Sequence, residues 1–97
     1  MKTFNEIKEI LSSHKKELQR KYKVKEMKIF GSYVKNEQRE RSDVDILVDF
    51  YEVPDLLKFI EMERYLEEIL GVKVDLVRIS VLRPELRDGI LNEAVKI

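Results

Sequence analysis

The sequence has no cysteine, a single histidine and only two prolines among its 97 residues. Without cysteine the chain forms no disulfide and has no thiol chemistry, which suits a reducing compartment. His14 has no second histidine with which to share a metal ion. No apolar run approaches the length of a membrane span, and the first residues, MKTFNEIKEIL, mix charges through their apolar positions, unlike a secretory signal. We therefore expect a cytoplasmic protein that does not contact a membrane.

Charge of either sign is not in excess, because nineteen basic residues balance nineteen acidic ones. Seven Lys and Arg residues fall between positions 14 and 28, and seven Asp and Glu residues fall between positions 49 and 68. Such runs are typical of solvated helix faces, and the alternative is a dipolar surface that steers an anionic substrate. Since the net charge is zero and no nucleic-acid-binding motif is present, we do not expect nucleic acid as a partner.

Length and apolar content fit one domain that spans residues 1–97, since 43% of the residues are hydrophobic. The apolar spacing predicts a helix, a strand, a short helical segment, a strand, a helix, a strand and a final helix. We place these elements at residues 3–22, 24–30, 33–36, 43–50, 54–71, 72–77 and from 84 onward. This order predicts an α+β fold in which helices pack on one face of a small mixed β-sheet.

The helical segments carry signals for their ends and for their buried sides. Thr3 and Glu6 stand in capping-box register, and Gly71 occupies a favoured position at the end of the helix that Pro54 opens. We expect that helix to bury Leu56, Leu57, Ile60, Leu66, Ile69 and Leu70. In the last helix we expect the inward side chains to be Leu86, Ile90, Leu91 and Val95.

The segment DVDILVDF, residues 43–50, alternates strictly between the two faces of a strand. The face that we expect in the core carries Val44, Ile46, Val48 and Phe50. The other face carries Asp43, Asp45, Leu47 and Asp49. In the later strand VKVDLV, Asp75 also lies opposite the apolar set, so it joins the face of Asp43 and Asp45 if the two strands are neighbours.

Carboxylates at positions i and i+2 of a strand project from one face with their Cα atoms about 6.6 Å apart. Asp43 and Asp45 are therefore placed to share one Mg²⁺ ion or to bracket two, because Mg²⁺ takes few protein ligands together with waters and substrate phosphates. Asp75 would add a third carboxylate that helps to hold an ion and takes the proton from an attacking hydroxyl. Acidic pairs are also common on exposed strands without function, so the pair alone is a weak signal. Asp49 lies about 13 Å beyond Asp45, and we interpret it as a surface residue.

Gly31 and Ser32 follow the first predicted strand and strengthen this interpretation. Glycine allows a positive φ or a close approach to another group. A serine at the start of a short helix, with backbone amides behind it, provides a site for phosphate oxygens. An ordinary strand-to-helix turn with Ser32 as the N-cap is the alternative, and both descriptions hold together because a capped helix start also binds anions.

Taken together, Gly31-Ser32, ten intervening residues, Asp43-Val44-Asp45 and a later strand Asp75 resemble the polymerase-β-type nucleotidyltransferase superfamily. At this length the chain is similar to its minimal nucleotidyltransferase branch. The resemblance implies that Asp43, Asp45 and Asp75 form the catalytic and Mg²⁺-binding carboxylate set, with two ions expected. It also implies that Gly31 and Ser32 hold the β- and γ-phosphates of the nucleotide.

The same resemblance implies an activity and a partner. Members transfer a nucleoside monophosphate, commonly AMP from ATP, to a hydroxyl group and release pyrophosphate. Small prokaryotic members typically pair with a HEPN-domain toxin protein, for which they act as the antitoxin and modify a tyrosine with AMP. We therefore expect ATP as the substrate and a HEPN-domain protein as the partner.

One segment departs from the family pattern, because Val34-Lys35-Asn36 stands where Ala-Arg-Gly is usual. Lys35 keeps a positive charge for the phosphates but lacks the planar fork of arginine. Asn36 preserves the turn, since asparagine is the commonest non-glycine residue at positive φ. The alternative hypothesis is therefore a catalytically weakened member that neutralises its partner by binding alone.

Overall fold

The computed structural model describes residues 2–39 and 42–97. Its helices are α1 (Phe4–Ser13), α2 (Lys15–Tyr22), α3 (Leu56–Leu70) and α4 (Pro84–Glu93). Its strands are β1 (Val24–Phe30), β2 (Val44–Phe50), β3 (Val74–Arg78) and β4 (Val95–Lys96). Two short 3₁₀ turns, Gly31–Tyr33 and Ile79–Val81, follow β1 and β3. No helix in this part of the chain is both long and apolar enough to cross a bilayer.

The four strands form one sheet in the order β3-β2-β1-β4. Strand β1 runs antiparallel to both β2 and β4, whereas β2 and β3 are parallel. The parallel pair is joined through α3, as a crossover between parallel strands requires. The prediction of a small mixed sheet is therefore confirmed, and the bounds of β1 match those expected.

The core lies between one face of the sheet and helices α1, α2 and α3, which confirms the predicted α+β arrangement. The helices contribute the fully buried side chains Ile7, Leu11, Leu18, Met62, Leu66 and Leu70. The sheet contributes the predicted core residues Val44, Ile46, Val48 and Phe50, together with Met27, Ile29, Val74 and Leu76. The other face is not fully open, because Leu47 is completely buried there and the 3₁₀ turn Ile79–Val81 contacts β2.

The single helix expected at residues 3–22 is wrong, because the chain forms two helices that meet at His14. Thr3 and Glu6 make the predicted capping box. His14 has φ −103° and ψ 5°, outside the helical range, and its Nδ1 lies 2.8 Å from the carbonyl oxygen of Ile10. The imidazole ring therefore forms a hydrogen bond with a carbonyl group at the end of α1, and the apolar stripe continues on α2.

Helix α3 starts later than expected and buries fewer residues. Asp55 is its N-cap and accepts a hydrogen bond from the Lys58 amide at 2.8 Å, so Pro54 lies before the helix. Leu56 and Leu57 are 73% and 81% exposed, and the prediction that they are buried is wrong. At about 100° per residue, Leu57 lies on the side of the helix opposite Leu66. Ile60 is also exposed, whereas Leu66 and Leu70 are buried as predicted.

The C-terminal part also departs from expectation. Strand β3 begins at Val74 and ends at Arg78, two residues later than its predicted start and one later than its predicted end. Helix α4 starts at Pro84 as predicted, but none of its residues from 84 to 93 is fully buried, and Leu86 is 54% exposed. Val95 lies in β4 rather than in the helix, because the last residues pair with β1 as an edge strand.

Candidate active site

The parallel pairing of β2 and β3 places two of the predicted carboxylates side by side. Asp45 is in direct register with Asp75, and neighbouring strands lie about 4.8 Å apart. Burial raises the pKa of Asp45, and the negative charges of Asp75 and Asp43 raise it further. The three predicted aspartates are therefore close enough for their charges to act on one another.

Gly31 lies against the carboxylate of Asp45. Its backbone has φ +78°, and a Cβ atom there would overlap the Asp45 Oδ2 atom. The preceding residue, Phe30, is paired with Asp45 across β1 and β2, which fixes how closely the turn approaches the strand. Glycine is required here both for the backbone conformation and for the space.

The turn after Gly31 differs from the short helix expected at residues 33–36. The 3₁₀ turn already begins at Gly31, so Ser32 lies inside the turn and is not its N-cap. The Ser32 carbonyl accepts a hydrogen bond from the Glu37 amide at 2.9 Å, and Asn36 has φ +57°, as predicted for this position. Within residues 2–39 and 42–97 the amides of Ser32 and Tyr33 donate to no backbone carbonyl outside the strands, and such amides are the groups that bind phosphate.

Lys35 lies at the surface, where it makes an ion pair. Its Nζ atom is 3.4 Å from the carboxylate of Glu93 at the end of α4. Both side chains are about half exposed, so the pair contributes at most about 1 kcal/mol. Sequence patterns do not indicate this partner, because Glu93 is brought near by the pairing of β4 with β1, a contact between distant residues.

Asp43 is exposed and directly precedes β2. On its C-terminal side the amide of Val44 donates to the carbonyl of Lys73 at 2.9 Å. On its N-terminal side the hydroxyl of Tyr33 lies 3.5 Å from the carbonyl of Ser42. Tyr33 is 1% exposed, and burial raises the pKa of its hydroxyl, with a smaller contribution from the charge of Asp43. Tyr33 is a site residue that the sequence did not identify, although its place next to Gly31-Ser32 was a usable signal.

The carboxylate donor set suits a hard divalent cation. Among the residues that the structure describes, no three Asp, Glu, His or Cys side chains are already gathered tightly enough to hold an ion. No Lys or Arg of the described chain makes an ion pair with Asp43, Asp45 or Asp75. Their oxygen atoms are the ligands that Mg²⁺ prefers, and a cation would offset both the burial of the Asp45 charge and its repulsion by Asp75 and Asp43, which together raise the pKa of Asp45. The residues present therefore fit the ion.

Asp49 shares the face of Asp45 but has a different environment. It is opposite Glu26 on β1, and its Oδ1 atom accepts a hydrogen bond from the Phe50 amide at 3.0 Å. It lies four residues from Asp45, at the other end of β2. This position agrees with the interpretation of Asp49 as a residue outside the site.

The chain is similar in sequence and in structure to proteins of known class. Residues 11–97 match the family described as the nucleotidyltransferase domain. The protein adenylyltransferase MntA of Thermococcus cleftensis is 54% identical over 97 residues, which cover 100% of this chain and 98% of that protein.

Two solved structures extend this similarity to the fold. A proposed minimal nucleotidyltransferase superposes with a TM-score of 0.84 at 32% identity, covering 99% of this chain and 97% of that one. A toxin–antitoxin structure with AMP-PNP superposes with a TM-score of 0.69 at 25% identity, covering 96% of this chain and 70% of that one. The expected nucleotidyltransferase fold is confirmed.

Proposed function

The chain belongs to the nucleotidyltransferase domain family, and we propose that it transfers AMP from ATP to a tyrosine hydroxyl of a HEPN-domain toxin, as a cytoplasmic antitoxin. One observation carries the proposal: Asp45 is in register with Asp75 while Gly31 lies against the Asp45 carboxylate. The relative from Thermococcus cleftensis is named a protein adenylyltransferase, and one similar structure is a toxin–antitoxin with AMP-PNP. The first name supports adenylyl transfer to a protein, and the second supports a toxin partner and an adenine nucleotide.

We assign the site residues by their positions around Asp45. Asp43, Asp45 and Asp75 would hold Mg²⁺ as two ions, and bound Mg²⁺ would neutralise charge on the phosphates. Gly31 and Ser32 would bind the β- and γ-phosphates through the start of the 3₁₀ turn. Lys35 would add a positive charge to this phosphate site once it leaves Glu93.

The reaction needs positioning and a proton acceptor. The acceptor hydroxyl oxygen forms a bond to the α-phosphorus of ATP while the bond from that phosphorus to the pyrophosphate oxygen breaks. The hydroxyl proton passes to the carboxylate of Asp75, which is exposed beside Asp45 and within reach of an incoming side chain. The products are adenylylated tyrosine and pyrophosphate.

A second candidate function is neutralisation of the partner by contact alone. Two observations favour it: Val34-Lys35-Asn36 departs from the family pattern, and Lys35 is paired with Glu93. Under this hypothesis the carboxylates do not contribute to protection of the cell.

The test is to mix the chain with ATP, Mg²⁺ and the protein encoded by the neighbouring reading frame, and to weigh that protein by mass spectrometry. We expect a mass gain of one or more adenylyl groups. The double variant Asp43→Asn/Asp45→Asn should slow the gain by about 100-fold or more, because it removes charged groups that act at the transition state. Asp49→Asn, on the same strand face, should leave the rate unchanged.

The absence of any mass gain, or an equal gain with the double variant, would contradict the transferase proposal. The binding hypothesis is tested in cells that express the toxin. If the double variant protects those cells as well as the native chain does, neutralisation by contact is the function.

A further inference from the structure

We propose that Tyr33 is a positioning residue that fixes Asp43 relative to the turn of Gly31 and Ser32. The inference rests on the proposed function, because it concerns a carboxylate assigned there to the metal. It starts from the exposure of Asp43. In the described part of the chain, the side chain of Asp43 makes no hydrogen bond or ion pair, so its place is set by the backbone on either side.

Both peptide units that flank the Asp43 Cα atom are held by other parts of the fold. A peptide unit is planar and includes the Cα atoms at both of its ends, so a contact at one of its atoms restrains both. The unit that joins Asp43 to Val44 is held by the hydrogen bond from the Val44 amide to the Lys73 carbonyl at 2.9 Å. The unit that joins Ser42 to Asp43 carries the carbonyl oxygen that lies 3.5 Å from the Tyr33 hydroxyl.

The ring of Tyr33 is itself immobilised, which makes this contact a restraint. Tyr33 is 1% exposed and belongs to the main core cluster. It is also the last residue of the 3₁₀ turn that begins with Gly31 and Ser32, and this turn packs against β2. One side chain thus connects the proposed phosphate-binding turn to the residue before the first proposed metal ligand. This contact acts together with the pairing of Phe30 and Asp45 across β1 and β2 to hold the two halves of the site relative to each other.

The chain offers a matched control in Tyr22. It is also 1% exposed and lies at the other end of β1, where its hydroxyl is near the carboxylate of Glu61 but has no described partner at hydrogen-bonding distance. Tyr33→Phe and Tyr22→Phe remove the same atom from equally buried rings. A general effect of losing a core hydroxyl would therefore appear in both variants.

The first measurement is amide hydrogen exchange by NMR on the metal-free chain. It reports on the contact between the Tyr33 hydroxyl and the Ser42 carbonyl whether or not the chain binds nucleotide. Tyr33→Phe should speed exchange at residues 42–44 by about 2- to 5-fold, the size expected for one modest hydrogen bond. Tyr22→Phe should leave these amides unchanged. Unchanged exchange at residues 42–44 in Tyr33→Phe, or equal acceleration in both variants, would overturn the inference.

The second measurement is calorimetric binding of AMP-PNP with Mg²⁺, without turnover. Tyr33→Phe should weaken binding by about 2- to 5-fold, and Tyr22→Phe should bind like the native chain. If Tyr33→Phe binds AMP-PNP with the affinity of the native chain, the contact between Tyr33 and Ser42 does not position a metal ligand, and the inference is overturned. If the native chain itself binds no nucleotide while exchange at residues 42–44 responds to Tyr33→Phe, the proposed function fails. The restraint of Asp43 by Tyr33 is then still supported.

Discussion

The carboxylates at the two ends of strand β2 have different surroundings. At the carboxylate end, formed by Gly31, Asp43, Asp45 and Asp75, burial raises the pKa of Asp45, and the negative charges of Asp75 and Asp43 raise it further. At the opposite end, formed by residues 49–57, Asp49 accepts a hydrogen bond from the Phe50 amide, and the chain that follows exposes the apolar side chains of Tyr51, Val53, Leu56 and Leu57. Like charges also meet at the opposite end, where Asp49 lies across from Glu26, but there Lys28 pairs with Glu26 at 3.6 Å. The aspartates at the carboxylate end have no such cation partner among the described residues, and an arrangement of this kind is typical of a functional site.

The two fully buried tyrosines follow the same division. Tyr33, at the carboxylate end, directs its hydroxyl to the Ser42 carbonyl. Tyr22 lies towards the opposite end, and burial, with the nearby carboxylate of Glu61, raises its pKa to about 12. Its hydroxyl has no partner at hydrogen-bonding distance among the described residues. The two rings are equally buried, but Tyr22 only fills the core, whereas Tyr33 also restrains the residue before Asp43.

The largest expected effect comes from closing the space beside Asp45. Gly31→Ala should lower the rate of adenylylation by about 100-fold or more, because the new Cβ displaces the Asp45 carboxylate from its place. The free energy of unfolding should also fall by about 1–2 kcal/mol, since alanine disfavours φ +78°. The rate is measured by mass spectrometry and the stability by urea unfolding.

Gly71→Ala is the control that separates backbone strain from crowding. Gly71 has φ +68°, but a Cβ there would meet only the flexible side chain of Lys2, at 3.7 Å. It should lose a similar free energy of unfolding and keep its activity. Equal loss of activity in both variants would remove the special position of Gly31 and weaken the contrast between the two ends of β2.

Much of this architecture was accessible from the sequence. Strict alternation in β2 identified its core face, and the Gly-Ser and Asp-x-Asp spacing identified the residues that the fold brings around Asp45. The capping box at Thr3 and the end of α3 at Gly71 follow from local chemistry, which a sequence displays directly. These features depend on residues close together in the chain or on a simple period.

The remaining features depend on contacts between distant residues. Leu57 and Leu66 lie on opposite sides of α3, and which side packs against the core depends on contacts with residues far away in the chain. Strand β4 has two residues and exists because β1 offers an edge with which to pair. The contact between Tyr33 and Ser42 likewise spans a loop. The place of Tyr33 beside Gly31-Ser32 is a signal in the sequence, but neither its contact with Ser42 nor the Lys35–Glu93 pair is.

A smaller effect is expected when a charge is removed from the crowded carboxylates. Asp45→Asn should raise the free energy of unfolding at pH 7 by about 0.2–1 kcal/mol, because like charges on directly opposite strand residues are destabilising. The folded state raises the pKa of Asp45 above its ordinary value of 3.8, so native stability falls as pH rises through the window that begins there. The gain should therefore be largest at neutral pH and vanish below pH 3.8.

Asp49→Asn provides the comparison at the other end of the strand. Asp49 lies opposite Glu26, but Lys28 pairs with Glu26 at 3.6 Å and offsets its charge. Asparagine can also keep the hydrogen bond with the Phe50 amide, so we expect little change in stability at any pH. Urea unfolding between pH 3 and pH 8 checks both variants. A gain for Asp49→Asn as large as that for Asp45→Asn, or no pH dependence in the latter, would show that the two ends of β2 do not differ electrostatically.

The smallest expected effect concerns the exposed pair of Lys35 and Glu93. If Lys35 serves the nucleotide phosphates, Glu93 competes for it, and Glu93→Gln should lower the KM for ATP by about twofold, in keeping with the weak energy of an exposed ion pair. Lys35→Ala should raise that KM, and adding Glu93→Gln to it should have no further effect, because the competing partner is already gone. An equal decrease in KM with and without Lys35 would instead mean that Glu93 repels the phosphates directly. In that case the positive charge that replaces the usual arginine takes no part in binding, and the phosphate site is limited to the turn of Gly31 and Ser32.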